Sequence, residues 1–185
     1  KSGALIAAAR GWLGTPYHDQ ASVKGVGCDC LGLLRGVWRG LYGAEPFTDA
    51  RPVVRLALEV IQTRWVEPGE AVGYGCTWTA PRRSRIATVS AGYADGLLRS
   101  LTGKDVALWA GARSAPIVGR VSMDLITADV TDLPEVPAEL EILNDRQGVD
   151  ALAAKAGTIG YEVLTSLGSR YARQYLRDEA CTHSL

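Results

Sequence analysis

The chain has 185 residues, 47% of them hydrophobic, with 20 basic and 20 acidic side chains and a formal net charge of zero. That length builds one good core, or one domain with a short appendage. A neutral balance leaves no electrostatic footprint for nucleic acid or an anionic membrane surface, and no apolar run reaches the ~18–20 residues needed to span a bilayer.

The chain opens on Lys1, not Met, and reads as a fragment. The run Ala4-Leu5-Ile6-Ala7-Ala8-Ala9 is short for the apolar core of a signal peptide, and no small-residue cleavage site follows it. It reads instead as a helix capped by Ser2, running through Ala4, Leu5, Ala8 and Trp12 and stopped at Gly14-Thr15-Pro16. A polar loop over residues 17–27 leads to a second helix, 28–42. Leu31, Leu34, Trp38 and Leu41 make its apolar stripe at spacings of three and four, and Gly43 ends it. Residues 45–49 read as a connector.

Beyond that point strands and turns dominate. Strands are expected at 53–66, 85–91, 106–109, 116–118, 125–130 and 139–143, with turns at Glu67-Pro68-Gly69 and Gly92–Gly96 and a loop at 133–137. Asp150 caps a helix through Ala156. Thr158 begins another through Leu167, closed by Gly168, before a last strand at 170–176 and a frayed tail at 177–185. Arg82, Arg83 and Arg85 beside Pro81 read as a solvated loop. The fold class is therefore mainly β with α (α+β): a helical part at 1–46, a junction at 47–52, a β domain at 53–176 and a tail.

Cys28, Cys30, Cys76 and Cys181 form neither a disulfide framework nor paired zinc knuckles. No metal site is expected, and a reducing cytoplasm is the default location.

Two positions carry candidate chemistry. Tyr93, bracketed by Gly92 and Ala94-Asp95-Gly96, sits on a backbone made to turn sharply after a strand. Such a turn presents a phenol on a rigid edge. A phenol serves as a base only where positive charge or donors favour the phenolate. The plainer reading is a tyrosine whose hydroxyl satisfies its own turn. Cys30, in Asp29-Cys30-Leu31-Gly32, opens a helix, where the dipole and unpaired amides favour a thiolate nucleophile. The plainer reading there is a small buried hydrophobe.

The motif Gly-Tyr-Ala-Asp-Gly at 92–96 is followed by Val118-Gly119-Arg120-Val121-Ser122-Met123-Asp124, and later by Gly157-Thr158-Ile159-Gly160-Tyr161-Glu162-Val163-Leu164. It is preceded by Pro68-Gly69-Glu70-Ala71-Val72-Gly73-Tyr74-Gly75, and the set ends with Arg170-Tyr171-Ala172-Arg173-Gln174-Tyr175. In this order, over residues 51–176, the set resembles the C-terminal domain of alanine racemases, which implies a β-barrel-like domain carrying a two-helix N-terminal appendage.

By that resemblance Tyr93 is the base that exchanges the α-proton on one face of alanine, reaching into a partner subunit's site. Met123 and Asp124 meet the substrate there, with the Met123 amide near its carboxylate. Arg120 lines the substrate entrance, and Tyr161 bonds the phosphate of pyridoxal phosphate. Plainer readings are Met123 as core filler, Asp124 as a turn cap and Tyr161 as an inward-packed helix aromatic.

The resemblance also implies a Schiff-base lysine in a Lys-Ala-Asn-Ala-Tyr-Gly-like context on an eight-fold barrel of roughly 250 residues. None of Lys1, Lys24, Lys104 and Lys155 has that context. The chain alone is expected to lack racemase activity. It is also expected to expose apolar surface and to form homo-oligomers or aggregates.

Residues 4–46 resemble the start of NlpC/P60 cell-wall cysteine peptidases of the phage-associated kind. The likeness rests on Trp12-Leu13-Gly14-Thr15-Pro16-Tyr17 and Gly27-Cys28-Asp29-Cys30-Leu31-Gly32-Leu33. It implies Cys30 as nucleophile with Tyr17 nearby. The histidine base such a peptidase needs has no matching context in His18 or His183. The readings that follow are a racemase C-terminal domain, a truncated peptidase, or an inert self-associating β module from a rearranged or chimeric frame.

Overall fold

Residues 2–46 and 52–176 are described in the computed structural model. The expected tail at 177–185, with Cys181 and His183, and most of the expected connector lie outside the described residues. The chain divides into two units, Lys1–Arg51 and Pro52–Leu185.

In the first unit, α1 (Ser2–Arg10) is the alanine-rich segment. The loop expected at 17–27 contains a small hairpin, β1 (Ser22–Val23) paired antiparallel with β2 (Gly27–Cys28). Cys28 pairs with Ser22 there, so α2 starts two residues later than the sequence pattern implies and spans Cys30–Tyr42. Asp29 caps it. One carboxylate oxygen accepts from Gly32 N at 2.6 Å and the other from Gln20 N at 3.0 Å, which joins the loop to the helix start. Gly43, left-handed at φ 72°, closes it.

The packed face of α2 is not the predicted stripe. Gly32, Gly36 and Val37 are buried, while Leu31, Leu34 and Trp38 are exposed. A Cβ at Gly32 would overlap the Ala21 carbonyl oxygen, and one at Gly36 would overlap the Trp12 ring. The glycines let backbone and indole approach closely, and that proximity decides which face turns inward. Arg35 and Arg39 both reach Glu45, at 3.1 and 2.8 Å, and Arg39 also holds Ser22, so the C-terminal end of α2 is tied to β1.

The second unit is a closed six-stranded antiparallel barrel. Its strands are β3 (Leu56–Val66), β6 (Ser84–Ser90), β7 (Ala107–Ala110), β8 (Arg113–Val118), β9 (Leu125–Asp129) and β10 (Glu139–Leu143), in the order β10-β3-β6-β9-β8-β7. Pairing of Glu141 with Trp109 joins its ends, so no edge is left open. Alternate residues fill the interior: Leu56 and Leu58, Ala87 and Val89, Leu108, Ala115, Ile126 and Ala128, Leu140 and Ile142. A register shift between Val60 and Gln62 bends β3, whose far end carries a second small core of Val66, Val72, Ala80, Ile86 and Val118.

That second core includes a hairpin absent from the sequence expectations, β4 (Ala71–Val72) with β5 (Trp78–Thr79). Helices α3 (Val149–Ala156) and α4 (Gly160–Ser166) follow the barrel. The cap of α3 is Gly148, with Asp150 in its first turn, and α4 closes at Leu167 rather than Gly168. Residues 170–176 are not a strand: Arg170 turns toward two carboxylates instead of a ladder. Of the three arginines read as a loop, Arg82 pairs with Asp132, Arg83 pairs with Glu67 and lies over the Trp65 ring, and Arg85 belongs to β6. No helix among the described residues is long and apolar enough to cross a membrane.

The hydrogen bond from Arg35, followed by that from Arg39, holds the Glu45 carboxyl below its ordinary 4.5. A lowered folded value contributes stability above the unfolded value, and that contribution is lost as pH falls through the folded one. Glu45→Gln is therefore expected to speed amide hydrogen exchange in α2 at pH 7, and its difference from wild type should begin to fade as the pH drops below 4.5 and be gone once the pH is below the lowered folded value.

Candidate active site

Strand β6 ends at Ser90 and delivers the chain into a 3-10 turn, Tyr93–Asp95. Glycine is required on both sides of it. At Gly92 a Cβ would overlap the carbonyl oxygens of Ser122 and Met123; at Gly96, with φ 95°, it would overlap the Ser166 carbonyl. The room so made is used by two backbone bonds across the gap, Tyr93 N to Ser122 O at 3.0 Å and Ala94 N to Met123 O at 2.9 Å. Ser122 N donates to Leu125 O at 3.1 Å and folds residues 122–125 into the facing turn.

Asp95 is buried, and one of its oxygens accepts from Gly92 N at 2.9 Å. Its other oxygen lies 3.3 Å from Arg170 Nε, while Arg170 Nη1 donates to Asp124 at 2.7 Å. Asp124 is thus a partner of Arg170 rather than a simple turn cap. Arg170 is held above its usual value first by the Asp124 hydrogen bond and then by the Asp95 charge.

On this frame Tyr93 and Met123 are exposed, at 43% and 55%, so Met123 is not core filler. The Tyr93 hydroxyl makes no hydrogen bond among the described residues, nor does the Met123 N–H. The neighbouring phenol, Tyr171, differs: its hydroxyl is buried without a partner, and burial first, then the Asp95 charge, pushes it well above the ordinary phenol range. Tyr171 stays protonated, and of these two phenols Tyr93 is the accessible one.

Tyr161 lies on α4 and is exposed, not packed inward. The C-terminal end of the same helix abuts the Tyr93 turn, where Gly96 meets Ser166 and Leu167 and Gly168 N donates to Asp95 O at 3.2 Å. Arg120 is half-buried beside Gly75 of the β4–β5 turn, where Gly73 and Gly119 approach backbone to backbone at φ 82° and 74°.

In the first unit Cys30 is the exposed first residue of α2 rather than a buried hydrophobe. His18 contacts the Asp19 carbonyl oxygen through Nδ1, and no hydrogen bond joins it to Cys30 among the described residues. Cys28, Cys30 and Cys76 are free thiols, and no cluster of three metal-ligating side chains occurs among the described residues.

Residues 53–175 match the family model described as alanine racemase, C-terminal domain. The chain belongs to that family. An alanine racemase of Ruegeria sp. (strain TM1040) is 60% identical over 163 residues, covering 88% of this chain and 44% of the relative. One from Cereibacter sphaeroides (strain ATCC 17029) is 64% identical over 136 residues, covering 74% and 39%. An alignment over 88% of the chain is longer than the stretch after residue 52, so it takes in residues before the family match.

Among solved structures, the biosynthetic alanine racemase of Pseudomonas aeruginosa superposes with a TM-score of 0.64 at 40% identity over 74% of this chain and 40% of that one. The Bartonella henselae alanine racemase, solved with covalently bound pyridoxal phosphate, gives 0.66 at 37% identity over the same shares. The barrel is the one shared by these racemases. This chain spans less than half the length of the curated relatives it matches.

The exposed Tyr161 hydroxyl is an uncommitted donor. Among the described residues no lysine bonds with Tyr93, Met123, Asp124 or Tyr161, and Lys155 donates instead to the Asp105 carbonyl oxygen.

Two residues of this site, Asp95 and Arg170, were not singled out from sequence. Their signal lay inside segments already quoted, an Asp between Ala94 and a turn-closing Gly96 and an Arg after Gly168. Gly92→Ala should lower barrel stability by about 1–3 kcal/mol, because the added methyl must push two backbone carbonyls aside. Chemical denaturation measures it.

Proposed function

We propose that the barrel unit supplies one half of an alanine racemase active site, interconverting L- and D-alanine together with a complementary half that binds pyridoxal phosphate. The observation that carries this reading is the pairing of two uncommitted groups on one locked frame. The Tyr93 hydroxyl and the Met123 N–H are both free of partners among the described residues, while their backbones are bonded to each other's segments. The order of the family motifs and the naming of the curated relatives as alanine racemases support it.

In this reading Tyr93 Oη removes or returns a proton at the α-carbon of alanine on one face. The Met123 N–H donates to the substrate carboxylate, with Asp124 beside it. Arg120 stands at the entrance and steers the anionic end inward, and Tyr161 donates to the cofactor phosphate. Bound pyridoxal phosphate supplies the electron sink that makes the α-proton labile. A site made by two subunits needs self-association through the exposed Tyr93 and Met123 face, and a cytoplasmic location suits a reaction that supplies D-alanine for peptidoglycan. The chain alone, with one base of a two-base pair, is inactive in this reading.

A second reading concerns the first unit only. An exposed Cys30 at the start of a helix capped by Asp29 has the placement of a thiol nucleophile and supports descent from an NlpC/P60 peptidase. With His18 turned to the Asp19 carbonyl, such a fragment has an idle thiol, and the chain is then a chimera or a rearranged frame.

Grafting residues 53–175 in place of the matching segment of the Ruegeria sp. racemase tests the main reading by deuterium exchange at the alanine α-carbon. The graft should turn over, Tyr93→Phe within it should lose ~10²-fold or more, and the chain by itself should show no exchange. A Tyr93→Phe graft as active as its parent would overturn the proposal.

A further inference from the structure

We propose that Arg170 is a positioning residue whose guanidinium fork aligns the Tyr93 turn with the Met123 segment. Its relevance to catalysis rests on the reading of Tyr93 and Met123 given above. The two turns are joined along their backbones by Tyr93 N to Ser122 O and Ala94 N to Met123 O. Those bonds fix the separation of the turns but leave a hinge about the line of the bonds. A second point of attachment away from that line is needed to set the angle between them.

Arg170 provides it. Nε lies 3.3 Å from the Asp95 carboxylate, and Nη1 lies 2.7 Å from Asp124. Asp95 is itself committed to its own turn, because its other oxygen accepts from Gly92 N at 2.9 Å. Asp124 directly follows Met123. One planar group therefore spans the carboxylate that closes the Tyr93 turn and the carboxylate adjoining the Met123 amide. The geometry is specific to arginine, since a lysine ammonium is a point charge and cannot hold two carboxylates along a rigid fork.

The Arg170 end is itself anchored to the same turn: Gly168 N donates to Asp95 O at 3.2 Å, and Tyr171 packs against the barrel core. Arg170 touches no reacting atom in this scheme. It acts through Tyr93 and Met123.

The test is NMR of the full chain labelled with 13C at the methionine, leucine and isoleucine methyls and the tyrosine rings. Met123 is the one methionine in the sequence, so its methyl reports without ambiguity; the Tyr93 ring is assigned with Tyr93→Phe. In Arg170→Leu both signals should shift and show motional narrowing, while barrel methyls of Leu140 and Ile126 keep their wild-type shifts. Arg170→Lys should behave like Arg170→Leu, because it keeps the charge and loses the fork. Unmoved Tyr93 and Met123 signals in Arg170→Leu would overturn the proposal, and so would an Arg170→Lys spectrum matching wild type.

If Arg170→Leu fails to fold, Asp124→Asn decides. It leaves Asp95 with its arginine, and it should loosen Met123 while the core is unchanged; an unmoved Met123 methyl there overturns the clamp. The readout involves no turnover, so an inactive graft beside a responsive Tyr93 ring refutes the racemase reading alone. An active graft with unmoved signals refutes the clamp alone.

Discussion

The close approach of two backbone turns, 92–96 and 122–125, is the constraint on which the Tyr93 frame depends. Without a side chain at Gly92, the carbonyl oxygens of Ser122 and Met123 come near enough to accept the Tyr93 and Ala94 amides. A carboxylate buried at Asp95 then satisfies the Gly92 amide, and Arg170 balances its charge from the side. Every backbone N–H of residues 92–96 has a partner, so the turn is built at little cost in unsatisfied donors. The exposed phenol and the Met123 amide are what this arrangement leaves free.

The barrel serves that arrangement. Closure by β10 on β7 gives a sheet without an edge, and adjacent β6 and β9 carry the two turns at neighbouring ends, with Ser90 opposite Leu125. Helix α4 reaches the same place through Gly96 and Gly168, bringing Tyr161 to the unit that holds Tyr93. The polar groups are sorted by exposure as well. The Tyr171 hydroxyl is buried and held neutral, whereas the Tyr93 side chain is exposed.

Much of this was legible in the sequence where the pattern is local. Strand β10 falls at the expected 139–143, the turn bracketed by Gly92 and Gly96 is where the glycines place it, and the family motifs contain Tyr93, Met123, Asp124 and Tyr161. What escaped was set by contacts distant in the chain. Arg170 and Asp124 are 46 residues apart, and no periodicity links them, so residues 170–176 read as a strand when their leading side chain was committed elsewhere. The packed face of α2 was inverted because hydrophobic spacing weighs Leu34 and Trp38 and assigns nothing to Gly32 and Gly36, where close approach of Ala21 and Trp12 decides the packing. The β4–β5 hairpin has two residues per strand, too few for alternation to show.

The frame presenting Tyr93 is preformed in this chain and not assembled by a partner. Amide hydrogen exchange on the wild-type full chain measures that directly. The Tyr93 and Ala94 amides, bonded to Ser122 and Met123, should be protected to the same extent as barrel amides such as those of Thr88 and Val89. Exchange of Tyr93 and Ala94 as fast as the open turn at Gly103, with the barrel amides still protected, would contradict it.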